Sequence, residues 1–194
     1  MKITWSRIAA VCCAAALVAV PVSVSAQAKQ AQPPKPAAKE WEESLAGWND
    51  IGRKLIAMAE DMPEAKYWYQ PTKDTRTFGD MLLHVAGVNY ELVNAAAGKQ
   101  LGKAENDPPR AQYPNKAAVV AYLKKSFEDG AGLMKNVKSH EEFEKPVKYP
   151  WGNQMIHPHS LWSVAIAHAS EHYGSLVTYY RIQGMVPPES RPRK

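Results

Sequence analysis

Cysteine is nearly missing from this chain of 194 residues, which has two, Cys12 and Cys13, side by side near the N-terminus. Two adjacent cysteines inside an apolar stretch make no disulfide framework. None remains further along to serve as a thiol nucleophile or a thiolate metal ligand. Long apolar runs are missing too: none reaches the ~20 residues that a membrane-spanning helix needs, so the chain is not membrane-spanning. No Gly-rich phosphate loop, nucleophile elbow or dinucleotide fingerprint occurs, which removes the motif-based nucleotide and acyl-transfer readings. Glycine stands at 11 residues and proline at 15, which excludes collagen-like chains. Charge is only mildly one-sided, with 24 Lys+Arg against 19 Asp+Glu. The basic residues are scattered, and only Arg191-Pro192-Arg193-Lys194 forms a run, which reads as a solvated tail over 191–194. No nucleic-acid partner is expected from that distribution.

What is present begins with an export signal. Lys2 and Arg7 flank the start of an apolar core, Ile8 to Val20, and Val24-Ser25-Ala26 supplies the small residues of a cleavage site. We read residues 1–26 as a signal peptide cleaved after Ala26, which predicts a periplasmic or secreted protein and removes both cysteines. Only Ile8 to Val11 precede Cys12, too short an apolar core for a lipoprotein signal. Residues 27–39 (QAKQAQPPKPAAK) carry three prolines and no large apolar side chain, the composition of a disordered, partly polyproline linker.

From residue 40 to residue 190 the pattern is helical. Trp41, Leu45, Trp48, Leu55, Ala59 and Met62 recur at three- and four-residue steps, predicting a first helix over 40–62. Tyr67-Trp68-Tyr69 makes an aromatic connection. Thr77 with Asp80 is a capping-box variant that opens a second helix over 78–97, closed by Gly98. A polar loop spans 101–114. Asn115 caps a third helix over 116–137, with Ala118, Val119, Tyr122, Leu123, Phe127 and Leu133 on its buried side. Residues 138–159 read as irregular. Ser160 caps a fourth helix over 161–183, with Gly184 as its left-handed terminator. Strand signals are nearly absent, so the predicted fold class is all-α, a four-helix bundle.

Three of the six histidines stand out. His168 and His172 are four apart, hence stacked on one face of the fourth helix, and that face also carries Leu161, Ala165, Leu176 and Tyr179. Imidazoles on an apolar face are costly unless each ring nitrogen finds a partner, and a divalent metal is one such partner. Hydrogen-bonded core histidines are the alternative. His84 sits mid-helix in the apolar run Met81-Leu82-Leu83-His84-Val85-Ala86. Facing helices of a bundle can bring it to the pair, giving three imidazoles with positions left for water or substrate, the pattern of an open rather than a closed site.

Glu171 completes H-x-x-E-H with His168 and His172, the order found in inverted zinc peptidases. Glu171 is thereby a candidate proton acceptor, although without a predicted sheet nothing lines a peptide cleft. Glu91 lies two turns past His84 and could orient a ligand. His157 and His159 flank Pro158 in a loop, and His140 sits among Glu141, Glu142 and Glu144 on a solvated stretch.

A family resemblance rests on these residues. Pro71-Thr72, Arg76-Thr77-Phe78, Leu82-Leu83-His84-Val85-Ala86, the run His168-x-x-x-His172-Tyr173-Gly174-Ser175-Leu176-Val177 and the segment Tyr180 to Ser190 together resemble the DinB-like superfamily of four-helix metalloproteins. That superfamily is distinct from the DNA polymerase of the same name. The resemblance implies a bundle with up-down-down-up connectivity and a divalent metal held by three histidines, which map onto His84, His168 and His172. Characterised relatives are metal-dependent transferases and isomerases that use low-molecular-weight thiols, among them bacillithiol transferases and mycothiol-dependent maleylpyruvate isomerase. Dimerisation is common among them, so a homodimer is expected.

The expectation is therefore an exported protein that binds one divalent cation (zinc, nickel or iron). Its activity would be that of a transferase or hydrolase activating water or a thiol against an unknown small-molecule substrate. A non-catalytic protein in which the ion only cross-links helices is the alternative, and an inverted zinc peptidase the third reading.

Overall fold

The computed structural model describes residues 40–192. The expected signal peptide, the linker over 27–39 and the last two residues of the tail lie outside the described residues.

Among the described residues four long helices form: α1 (Glu40–Asp61), α2 (Phe78–Ala97), α3 (Lys116–Lys135) and α5 (Pro158–Ile182). Local chemistry explains most of their ends. The Thr77 hydroxyl oxygen accepts from the Asp80 backbone N–H at 3.1 Å and donates to the Asp80 carboxylate at 2.6 Å. Asn115 accepts from the Ala118 N–H at 2.9 Å. Gly98 (φ 63°) and Gly184 (φ 70°) supply the left-handed residues after α2 and α5. The C-terminal carbonyls of α1 are met from another helix, by Lys116 Nζ on Glu60 O (2.6 Å) and Met62 O (2.8 Å).

Several expectations needed correction. The fourth long helix begins at Pro158, with His157 at its cap and Ser160 inside its first turn. Proline suits the first helical position, where its missing N–H is not needed and its φ is already helical. Residues 138–159 are also more ordered than their prolines suggested. Ser139 caps a short helix α4 (His140–Glu144). A two-stranded antiparallel ribbon follows, β1 (Val147–Lys148) against β2 (Met155–Ile156), pairing Val147 with Ile156. The third helix stops at Lys135 rather than 137. In the expected solvated tail, Arg191 is exposed and also pairs with Asp61 (2.8 and 2.5 Å).

The long helices pack in the ring α1–α3–α2–α5, so α2 and α3 are direct neighbours while α1/α2 and α3/α5 lie across the diagonals. Gly47 of α1 faces Ile166 of α5, while Tyr180 at the far end of α5 donates to Met58 O at 2.8 Å, so these two helices run parallel. Tyr179 reaches Arg76, just before α2, which makes α2 antiparallel to α5. Asn89–Ser126 and Tyr90–Asp129 contacts align α3 with α2. The result is the up-down-down-up order.

The core follows the predicted stripe. Trp41, Trp48, Leu55, Ala59 and Met62 are buried, as are Val119, Leu123 and Phe127 of α3, while Leu45, Tyr122 and Leu133 are half-buried. Trp48 is the centrepiece, with its ring 4.7 Å from Phe127 and 5.4 Å from Trp162, and its Nε1–H donating to Phe127 O at 2.9 Å.

Burial also pushes the phenols of Tyr67, Tyr90, Tyr122 and Tyr180 well above the ordinary tyrosine range. The sign is that of a raised folded-state value. The stabilisation is complete below the unfolded pKa of about 10 and is lost as pH rises above it, because the unfolded chain sheds its phenolic protons first. We expect these four tyrosines to ionise only together with loss of helix in an alkaline titration, followed by phenolate absorbance and circular dichroism. All nine tyrosines ionising near pH ~10 with the helices intact would contradict this.

Candidate metal centre

His84 lies on the buried face of α2, two turns in, and His168 and His172 are half-buried one turn apart on α5. Because α2 and α5 are antiparallel neighbours, the three side chains meet between them. One ligand atom from each falls within 4.8 Å of the others, an arrangement able to hold a metal ion. His168 Nε2 is 3.1 Å from His84 Nε2 and 3.0 Å from His172 Nε2. The rings stand edge to face or tilted, with centroids 4.4–5.1 Å apart.

The proton positions decide what such a cluster can do. His84 Nδ1 is 2.7 Å from the Asn106 carbonyl, which can only accept, so Nδ1 carries the proton and Nε2 presents a lone pair. One proton on His168 Nε2 could serve one neighbour but not both. The Nδ1 of His168 is buried with no hydrogen-bond partner. A cation at the focus resolves the conflict, since each Nε2 then donates its lone pair to the same centre. Ligand bonds of about 2.1 Å in a tetrahedral site place nitrogens roughly 3.4 Å apart, a few tenths of an ångström from the spacing seen here. The donor set therefore fits a divalent ion.

Burial lowers His168 to about 3, helped by the positive fields of His172, His84 and Arg76, and lowers His172 as well. Both rings are thus held in the neutral form that ligates metals.

Beside the triad opens a cleft of about 750 Å³. It is lined by Lys73, Arg76 and Asp107 among others, and by Met81, Ser175 and Tyr179, each one or two turns from a histidine. Asp107 joins cleft and triad. Its carboxylate accepts from Arg76 Nε at 2.6 Å and Arg76 Nη2 at 3.0 Å, and its Oδ1 lies 3.4 Å from His84 Nδ1. The Arg76 guanidinium holds the Asp107 carboxyl below the usual carboxylate range.

The other candidates lie apart. Glu171 is exposed at the edge of α5, next to His172. Glu91 accepts from the Trp151 indole N–H on the β1–β2 connection rather than orienting a histidine. His157 and His159 both turn Nδ1 to Glu144, at 2.8 Å to its backbone oxygen and 2.8 Å to its carboxylate, away from the triad. His140 is exposed on α4.

Asn106, Asp107 and Arg76 were not singled out by sequence as site residues. The available signal was Gly87, a glycine inside the apolar run of α2. An added Cβ there would lie 1.8 Å from Glu105 O, so the loop backbone rests directly on the helix one turn past His84.

The fold and the cluster define a helical-bundle protein with three histidines able to hold a metal ion. A family model described as the DinB superfamily matches residues 48–176, which include all three histidines, and the chain belongs to that superfamily. A DinB-like protein from Bacillus cereus ATCC 10987 has the same fold, with a TM-score of 0.65 and 14% identity over 76% of this chain and 95% of that one. A DinB-like protein from Bacillus subtilis superposes with a TM-score of 0.60 and 15% identity, covering 78% and 99%. Among curated proteins no sequence matches.

Proposed function

We propose that this chain binds one divalent cation through His84, His168 and His172 and is a metal-dependent transferase or hydrolase. The reading rests above all on the three Nε2 atoms converging between α2 and α5, with the proton of His84 held on the opposite nitrogen by Asn106. When bound, such an ion supplies Lewis acidity that brings the pKa of a coordinated water or thiol towards neutrality. The chain's own residues do the remainder. Burial keeps the His168 and His172 imidazoles neutral, Asn106 and Asp107 orient His84, and Lys73 and Arg76, with Asp74, Asp80 and Asp107, make the adjoining cleft polar enough for a small polar substrate. Glu171, at the exposed edge beside His172, serves as proton acceptor. The cleft favours this reading over an ion that merely cross-links two helices. The signal-like N-terminus supports action in the periplasm or outside the cell.

Elemental analysis of the purified mature protein is expected to find about one equivalent of zinc, nickel or iron, and none in His84→Ala or in His168→Ala/His172→Ala. At a free metal concentration about 100 times Kd, binding to the folded state alone adds about 2.7 kcal/mol of stability, seen as a metal-dependent rise in Tm. Failure to bind any of the three metals after reconstitution would overturn the proposal.

A further inference from the structure

Arg76 stands at a junction that the metal reading does not itself require. It directly precedes the cap of α2, and its backbone carbonyl accepts from the Tyr179 hydroxyl of α5 at 2.9 Å. Its guanidinium grips Asp107 through two paired contacts. Asp107 follows Asn106, whose carbonyl takes the His84 Nδ1 proton. The chain of contacts therefore runs from α5 through Arg76 into the 105–108 segment, then to His84, and across to His168 and His172 on α5 again. That closed circuit matters because the 101–114 loop has no helix or strand of its own around Asn106. Its carbonyl is aimed by what anchors the neighbouring residues: the seat of Glu105 on Gly87 and the Arg76–Asp107 pair. Both groups of that pair are partly open to water, so as a surface ion pair it would contribute little to stability. Its geometric effect is larger, because a bidentate guanidinium–carboxylate contact fixes direction as well as distance.

We propose that Arg76 is a positioning residue for the metal centre. Acting through Asp107, it holds the Asn106 carbonyl on His84 Nδ1, so that the imidazole keeps the one tautomer whose Nε2 lone pair points at His168 and His172. This inference rests on the metal reading only for its consequence, tighter binding of the ion. Its cause, the tautomer, is a property of the metal-free protein. Partners of this kind change metal affinity by roughly 10–100-fold.

The test uses the full mature chain and two readouts. Nitrogen-15 NMR of the histidine rings in the metal-free protein reports which nitrogen of His84 is protonated, and chelator competition with zinc reports affinity. Wild type is expected to show a single Nδ1–H form for His84. Arg76→Gln is expected to show a mixture of tautomers and about tenfold weaker zinc binding, with unchanged helix content. Asp107→Asn should move both readouts in the same direction. Because Arg76 acts through Asp107, the double variant should be no worse than the more affected single one. An unaltered His84 tautomer in both single variants would overturn the proposal, and so would additive losses in the double. If Arg76→Gln fails to fold, Asp107→Asn, which preserves side-chain shape, decides alone. Loss of zinc binding in wild type itself would sink the metal reading while leaving the tautomer result to judge Arg76.

Discussion

Gly87→Ala is expected to destabilise the protein and weaken metal binding together, although alanine is the better helix former. By propensity alone the change should help by about 1 kcal/mol. Space decides otherwise. The new methyl would fall 1.8 Å from Glu105 O and 2.8 Å from Glu105 C, and a backbone carbonyl cannot rotate away as a side chain would. Either α2 or the 105–108 segment must shift. Overpacking of a close contact costs about 1–3 kcal/mol, and this one lies at the severe end, so we expect a net loss of about 2 kcal/mol in urea unfolding. The segment that moves carries Asn106, and with it the hydrogen bond that orients His84. Zinc affinity should therefore fall about tenfold or more. Gly132 on α3 is the control. A Cβ there meets nothing within 4 Å, so Gly132→Ala should stabilise by up to about 1 kcal/mol and leave metal binding alone. A Gly87→Ala protein as stable and as tight-binding as wild type would show that the loop does not rest on the helix.

Trp48→Ala should give the largest loss of stability from a single core change while sparing the histidine triad. The indole has no exposed surface and fills the space between α1, α3 and α5, against Phe127 and Trp162. Removing it leaves a large cavity that cannot collapse, because three helix backbones frame it. Such truncations cost about 3–5 kcal/mol, a large share of the 5–15 kcal/mol typical of a domain. Trp48→Phe retains a ring and loses the bond to Phe127 O, so it should cost clearly less. The metal content of the folded fraction should match that of wild type, since the triad lies between α2 and α5. A loss below about 1 kcal/mol for Trp48→Ala, measured by urea unfolding, would contradict this packing.

Legibility from sequence tracked the range of the interactions involved. Thr77, Asn115, Gly98 and Gly184 act on backbone groups within a few residues, and their roles could be read from neighbours alone. The apolar stripe of α1 follows from a period of 3.6. Ser160 was a less secure cap than it looked, because Pro158 two residues earlier already satisfied the demands of a first turn. The α4 helix and the β1–β2 ribbon were hidden in a proline-rich stretch, where five residues of helix and two of strand leave no period to detect. Glu91 was plausible as a partner for His84 on helical spacing, yet the Trp151 indole from a distant loop engages it.

The amino-acid sequence by itself determined the four long helices and most of their caps, the mostly helical class, and the pairing of His168 with His172, since i, i+4 neighbours on a helix share a face whatever surrounds them. It also marked His84 as anomalous, a polar ring in an apolar run. Only the tertiary structure decided that α2 lies beside α5 rather than across the bundle, and so that His84 meets the pair. It alone decided which nitrogen of His84 bears the proton. The donor's partner there is a backbone carbonyl, a group every residue carries, so no side chain in the sequence announces it. Its position depends on a loop seated on Gly87 and gripped by Arg76, and contacts between residues some twenty to thirty positions apart have no period for a sequence to display.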